Sequence, residues 1–433
     1  MNLFKNSWHT LVKTVLGILL ISALAQQAAV AQFRVEVSGV GLTRIPIALA
    51  QFRDEEISAQ EISSIIRNDL DSSGQYRAIR MTEVVDETQI PDLALLRQSG
   101  ADAFVAGSVA KLANGQFEVR FRLWDVVRSE DLGAESFVVT ANDLRLAAHR
   151  ISDFVYENLS AEKGVFSTRV AYVTKSENAY SLWIADVDGG NAQSALNSPE
   201  PIISPTWSPD GKSVAYVSFE QRKPVVYVHK IADGTRKIVA NFKGSNSAPA
   251  WEPNGQSLVV ALAQNGFQQL YAINLKSGAK RKLFSSLGVD TEPVFSADGD
   301  TLFFVSDRSG GPQIYRVTLP NGEPERITFT GAQSMSPAIS PDGKYLAYIS
   351  KTDGWHKLNL LEIASRVVTP LTETMADERP SFSPNGRLII YATTDGGHKS
   401  LMMTTIDGRV KSKLATQTGD MREPHWGPYV APQ

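Results

Sequence analysis

Pro205-Thr206-Trp207-Ser208-Pro209-Asp210-Gly211 is the phrase around which most of this 433-residue chain is written. It returns as Pro249-Ala250-Trp251-Glu252-Pro253-Asn254-Gly255, then over 293–299, 337–343 and 380–386. A clipped copy, Pro424-His425-Trp426-Gly427-Pro428, stands near the end. The leading prolines are 44, 44, 44, 43 and 44 residues apart. A period of about 40–45 residues built from short strands is the mark of a β-propeller, one four-stranded blade per repeat. Asp-Gly or Asn-Gly closes each phrase with the positive φ of a tight hairpin. An apolar second run follows, over 213–218, 257–262, 301–306, 345–350 and 388–393.

The ends of the series set the blade number. An apolar run of the second-strand type, 168–174, has no phrase before it, and the last phrase has no second strand after it. Each completes the other, which predicts a six-bladed propeller over 165–433 whose last strand closes the ring. Closure removes the exposed edges of an open array.

The segment before the repeats differs in character. Lys5, Lys13, an apolar run over 15–24 and Ala29-Val30-Ala31 predict a secretory signal peptide over 1–31, cleaved before Gln32. Without it the chain carries 41 basic and 46 acidic residues. That balance favours neither nucleic acid nor a polybasic membrane surface, and no membrane span is expected after cleavage. The sequence has no cysteine, hence no disulfide, thiolate nucleophile or cysteine metal site. Residues 32–43 read as a flexible arm able to form a strand. Residues 44–160 read as a small α/β domain joined to the propeller through 161–164. Its strands are expected over 45–52, 103–109, 116–126 and 137–140, and its helices over 55–70 and 91–99. A last helix, capped by Asn142 or Asp143, turns Leu144, Ala147, Ala148, Ile151, Phe154, Val155 and Leu159 inward. The fold class is therefore an α/β N-terminal domain followed by an all-β six-bladed β-propeller.

Catalytic signatures are sparse. His9, His149, His229, His356, His398 and His425 show no metal-ligand spacing, and no Gly-x-Ser-x-Gly elbow occurs. Asp210, Asp298 and Asp342 each precede a turn glycine, so turn chemistry accounts for them. Trp207, Trp251, Phe295, Ile339, Phe382 and Trp426 share one repeat position, as packing between blades requires. No catalytic residue, metal site or cofactor is expected, and a binding protein is. In an up-and-down blade the Asp-Gly hairpins crowd one face. The varied inter-blade connections, 197–204, 241–248, 285–292, 330–336, 373–379 and 417–423, surround the channel mouth on the other, as exposed loops where a ligand would be read.

On these marks the chain resembles the TolB family of periplasmic propellers in the Tol–Pal envelope system. The resemblance spans everything after the signal peptide. It rests on the order and length of the domains, on the run 204–220, on Arg169-Val170-Ala171-Tyr172-Val173 and on Arg326-Ile327-Thr328. It implies a non-enzymatic, periplasmic role in outer-membrane integrity and in constriction during cell division. It implies that the propeller mouth binds the peptidoglycan-associated lipoprotein Pal, through Ala248, Thr291 and Glu292, with Ser245, Met335, Arg379 and Glu423 around them. It implies that the arm, beginning Gln32-Phe33-Arg34-Val35-Glu36-Val37, binds TolA by strand addition. Other outer-membrane proteins and imported colicin-type toxins belong to the same set of partners. The rival readings are a propeller-type periplasmic hydrolase or lactonase and a glycan-binding propeller. The first needs a second catalytic domain or convergent acidic residues, and the second needs more exposed aromatics.

Overall fold

The computed structural model describes residues 35–37, 44–264, 266–414 and 419–430. The expected signal peptide and the arm residues other than 35–37 lie outside them. Strand β1 (Val35–Val37) is the exception within the arm. It pairs antiparallel with Val410–Lys413, the outermost strand of a propeller blade, placing Val35 opposite Ser412 and Val37 opposite Val410.

The N-terminal domain is a five-stranded mixed sheet. It contains β2 (Ile45–Gln51), β3 (Tyr76–Val84), β4 (Ala103–Lys111), β5 (Phe117–Asp125) and β6 (Glu130–Val139) in the order β3-β2-β4-β5-β6. β2 runs parallel to both neighbours, and β4, β5 and β6 are antiparallel. Helix α1 (Ile62–Ser72) makes the parallel crossover from β2 to β3, and α2 (Leu93–Gln98) that from β3 to β4. Helix α3 (Leu144–Ser160) lies beside α1. Ile62, Ile65, Ile66 and Leu70 of α1 meet Leu144, Ala147, Ile151 and Val155 of α3 over Ile47, Val105, Val119 and Phe121 of the sheet. No helix among the described residues is long and apolar enough to cross a membrane.

Four details depart from the sequence reading. The first helix starts at Ile62 instead of residue 55, because Asp54 is left-handed and only a 3-10 turn, Glu55–Ile57, forms there. Buried Glu55 instead folds back, its carboxylate accepting from Ser63 N (3.0 Å) and Ser63 Oγ (2.8 Å) at the start of α1. An anion there also suits the helix dipole. Strand β3 had no counterpart among the expected strands, since Arg77, Arg80 and Glu83 dilute its alternation on a sheet edge. β6 is longer than 137–140 for the same reason, its first half being charged and exposed. Asp143 makes no capping hydrogen bond to α3; it ends a 3-10 turn, Ala141–Asp143, that runs into the helix, and its carboxylate accepts from the Thr140 hydroxyl (2.6 Å).

The propeller has six blades. Blades 2 to 6 run in sequence order from the inside outward, with inner strands Ile202–Trp207, Asn246–Trp251, Asp290–Phe295, Gln333–Ile339 and Glu378–Phe382. Blade 1 is composite. Asp420–Trp426 is its inner strand and pairs with Arg169–Lys175, which is followed by Tyr180–Asp186 and Gln193–Ser198. The second strands repeat one buried bulky position at Tyr172, Tyr216, Val260, Phe304, Tyr348 and Tyr391, each at most 1% exposed. These side chains fill the seams between blades.

The stereotyped turns hold themselves. In blade 2 the Ser208 hydroxyl donates to Asp210 (2.5 Å) and accepts from Ser213 N (2.9 Å), while Asp210 also accepts from Lys212 N (3.0 Å). Ser296 with Asp298, Ser340 with Asp342 and Ser383 with Asn385 repeat the pattern.

Candidate functional site

Every inner strand breaks register at the same place. The shift falls between Ile203 and Thr206, Ser247 and Ala250, Thr291 and Val294, Met335 and Ala338, Glu378 and Ser381, and Arg422 and His425. Such bulges re-aim a side chain out of the ladder. In each, the residue before the proline is left-handed: Ser204 (54°), Ala248 (48°), Glu292 (49°), Ser336 (52°), Arg379 (49°) and Glu423 (52°). None is glycine, so each carries backbone strain of about 1–3 kcal/mol that the ring must hold in place. Together the six line a channel cavity of about 350 Å³, with the prolines and Trp207, Trp251, Phe295, Ile339, Phe382 and Trp426.

Three of the six are charged and meet across the channel. Arg379 of blade 6 pairs with Glu423 of blade 1 (2.9 Å), donates to Ser204 Oγ of blade 2 (2.8 Å) and approaches Glu292 of blade 4 (3.8 Å). Glu423 accepts from Ser204 N (3.2 Å), and Glu292 accepts from Ser336 N of blade 5 (2.6 Å). One guanidinium and two carboxylates thus tie five blades together at the bulge ring. His425 lies beside them, with Nδ1 accepting from Trp207 N (3.4 Å) and Nε2 3.2 Å from Thr206 Oγ1. Burial first, and the Arg379 charge second, push its pKa down to about 4, so the ring is neutral in the folded chain.

A pH dependence follows. The unfolded chain takes up a proton at His425 near the usual 6.5, the folded chain only near 4. This contribution to stability is full above about 6.5 and is lost as pH falls toward 4. Melting curves of the parent and of His425→Gln between pH 7 and 4.5 check it. The variant should lose less melting temperature over that interval, and parallel losses would contradict the assignment.

The ring gathers Ala248, Glu292, Arg379 and Glu423, but not in exposed loops as the sequence reading expected. All four sit inside inner strands. Ala248 is 6% exposed and packs with Val259, Ala261 and Leu270. Thr291 and Met335 occupy the strand position just before the ring, half-buried, with Met335 against the apolar seams of blade 5. Ser245 precedes its strand and accepts from Gln268 Nε2 (3.3 Å). Of the arm residues, Val35, Glu36 and Val37 form β1, and Gln32, Phe33 and Arg34 lie outside the described residues. Ser204 and Ser336 complete the ring and escaped the sequence reading. The signal that locates them is simply the position before each repeated proline.

The two faces of the propeller differ in what they carry. On the hairpin-turn face, blades 6 and 1 meet the N-terminal domain. Arg387 pairs with Glu162, Asn385 Nδ2 donates to Lys163 O (3.0 Å), and Gly74 lies against Thr405 and Val410. On the mouth face, blades 3 to 6 present Phe267, Leu287, Trp355 and Met375, between 46% and 94% exposed. Away from the channel, Asp69, His149 and Asp188 converge where the domains meet. Arg145 pairs with the carboxylates of Asp186 (3.2 Å) and Asp188. Protein groups of both signs thus meet in one ion network.

These features define a class: a closed six-bladed propeller with a charged bulge ring, carrying an α/β domain on the face opposite its mouth. Comparison with known proteins narrows it. The family model for the TolB beta propeller domain matches residues 156–430, and that for the TolB amino-terminal domain matches 33–132. The chain belongs to the TolB family. It is 59% identical over 204 residues to the Tol-Pal system protein TolB of Polaromonas naphthalenivorans (strain CJ2), 47% of this chain and 48% of that one. It is 48% identical over 201 residues to that of Aromatoleum aromaticum (strain DSM 19018 / LMG 30748 / EbN1), 46% and 47% of the two chains. The chain thus spans about half the length of the curated relatives it matches. The crystal structure of TolB from Acinetobacter baumannii superposes with a TM-score of 0.84 at 35% identity, covering 92% of this chain and 100% of that one.

Proposed function

We propose that the chain is a periplasmic protein-binding component of the Tol–Pal system, non-enzymatic, which grips the peptidoglycan-associated lipoprotein at the propeller mouth and TolA through the arm. Linking the two would serve outer-membrane integrity and constriction at division. The observation that carries the mouth assignment is the set of four exposed apolar side chains on that face of blades 3 to 6. Exposed apolar residues rimmed by polar ones mark a protein-binding surface, and Trp355 is of the type that anchors hot spots. The bulge ring beneath them gives the partner a fixed, charged floor. The arm assignment is supported by β1, whose residues already form strand pairs with a sheet edge.

Titration calorimetry with the soluble domain of the lipoprotein tests the mouth. Trp355→Ala and Thr291→Arg should each weaken binding by roughly thirtyfold or more, the effect of losing about 2 kcal/mol at a hot spot. Val367→Ala, in an exposed turn of the opposite face, should bind like the parent. Unchanged affinity in both mouth variants would move the site elsewhere.

A further inference from the structure

His149 of α3 lies 1% exposed between two domains. Its Nδ1 is 2.7 Å from Asp69 Oδ2 of α1, in its own domain. Its Nε2 points the other way, 3.6 Å from Asp186 Oδ2 and 4.0 Å from Asp188 Oδ1 at the turn after blade 1 strand Tyr180–Asp186. Arg145, one helical turn earlier on α3, pairs with the same two carboxylates. The turn is shaped to admit it, for a Cβ on Gly190 would stand 2.2 Å from the Arg145 guanidinium. Ser152 also donates to Asp69 (2.7 Å), and Asp153, the remaining acid on this face of α3, accepts from Phe166 N and Ser167 N.

The ring cannot be neutral here without conflict. Asp69 needs a donor, so a neutral imidazole would keep its proton on Nδ1. Its buried Nε2 lone pair would then face two carboxylates. A second proton on Nε2 turns that repulsion into attraction toward both acids.

We propose that His149 is a charged latch between the domains, its imidazolium bridging Asp69 of the α/β domain and Asp186 and Asp188 of blade 1. Docking of the α/β domain then weakens when the ring loses its proton. This inference is independent of which partners the mouth and arm bind. Burial opposes charge on His149, but the Asp69, Asp186 and Asp188 carboxylates outweigh it and hold the pKa well above the usual histidine range. Burial likewise pushes Asp69 up, with His149 pulling it back. Acids flank both ring nitrogens, and Asp69 Oδ2 accepts from Ser152 Oγ as well as facing the ring, so the proton belongs to the ring. Because the docked pKa is raised, the latch is fully set below about 6.5 and is lost as pH rises through the raised value. Each unit of that rise corresponds to roughly tenfold looser docking on deprotonation.

The test is a pH titration of the full chain carrying 13Cε1-labelled histidine, the His149 resonance being assigned with His149→Gln. The resonance should keep its imidazolium position well above about pH 6.5, where an ordinary histidine has lost its proton. Hydrogen-exchange protection of amides in α3 and in the turn after Asp186 should fall with pH in the parent. In His149→Gln it should be low at pH 7 and no longer pH-dependent. A His149 resonance titrating at or below about 6.5 overturns the latch, as does equal protection in the two chains. If His149→Gln does not fold, replacing the other histidines in turn assigns the resonance, and its titration decides the matter alone.

Discussion

Trp426→Ala should lower the stability of the propeller by about 3–5 kcal/mol, the cost of emptying a buried tryptophan site. The side chain is 4% exposed, within the core that joins blades 6 and 1 and includes Val170, Tyr172, Ile390 and Met421. Its indole Nε1 donates to Thr168 Oγ1 (2.8 Å) and its backbone N donates to Ser381 Oγ (2.9 Å). The first bond reaches back across 258 residues to the start of the propeller, so the substitution loosens the ring at its only composite blade. Truncation after residue 419 should go further. It leaves Arg169–Lys175 as an unpaired inner edge, open to association with another chain. Removal of 32–43 is the control. It takes away β1, three residues on an outer edge, and should change stability by less than about 1 kcal/mol. Denaturant midpoints for the three chains check this. A Trp426→Ala midpoint no lower than that of the arm deletion would refute the account of closure.

Ala248→Asp should cost about 3 kcal/mol or more, as other uncompensated buried charges do. A loop position at the mouth would have tolerated the change. Ala248 is instead buried in a bulge, left-handed at a φ of 48°, with its strand paired on Ser257–Gln264. A carboxylate here enters a channel where Glu292 and Glu423 already share the one guanidinium of Arg379. Ala248→Gly separates the two causes. Glycine is at ease at positive φ, so it should lie within about 1 kcal/mol of the parent. If Ala248→Asp melts like the parent, the charge has found solvent and the site is open in a way its burial contradicts. A loss of lipoprotein binding in Ala248→Asp therefore says nothing about the mouth unless folding is checked first. Thr291→Arg and Trp355→Ala are the cleaner probes.

The repeated phrase was enough to read the architecture. Proline, a large apolar residue and Asp-Gly or Asn-Gly recur with a nearly constant spacing, and each acts locally: the glycine sets a turn, the large apolar residue fills a seam, the alternating runs form strands. The orphan run at 168–174 and the orphan phrase at 424–428 even told which strands must pair, and Trp426 does lie opposite Val170. Local signals were weaker in the α/β domain. Edge strand β3 has too many charged residues to show its period. The start of α1 depends on Glu55 folding back to Ser63, eight residues on. The candidate site was legible only as a face. Nothing in the dipeptides before each proline announces a left-handed bulge, because that conformation exists only where two strands of unequal length are paired. The Arg379–Glu423–Glu292 crossing needs six blades brought round to a common axis, and His149 needs acids from helix α1 and from blade 1. Such groups are 44 to 87 residues apart or brought together from different domains. What sequence by itself determined here is what neighbouring residues do to one backbone; the charge networks come from ring closure and domain docking, which set distances no local pattern encodes.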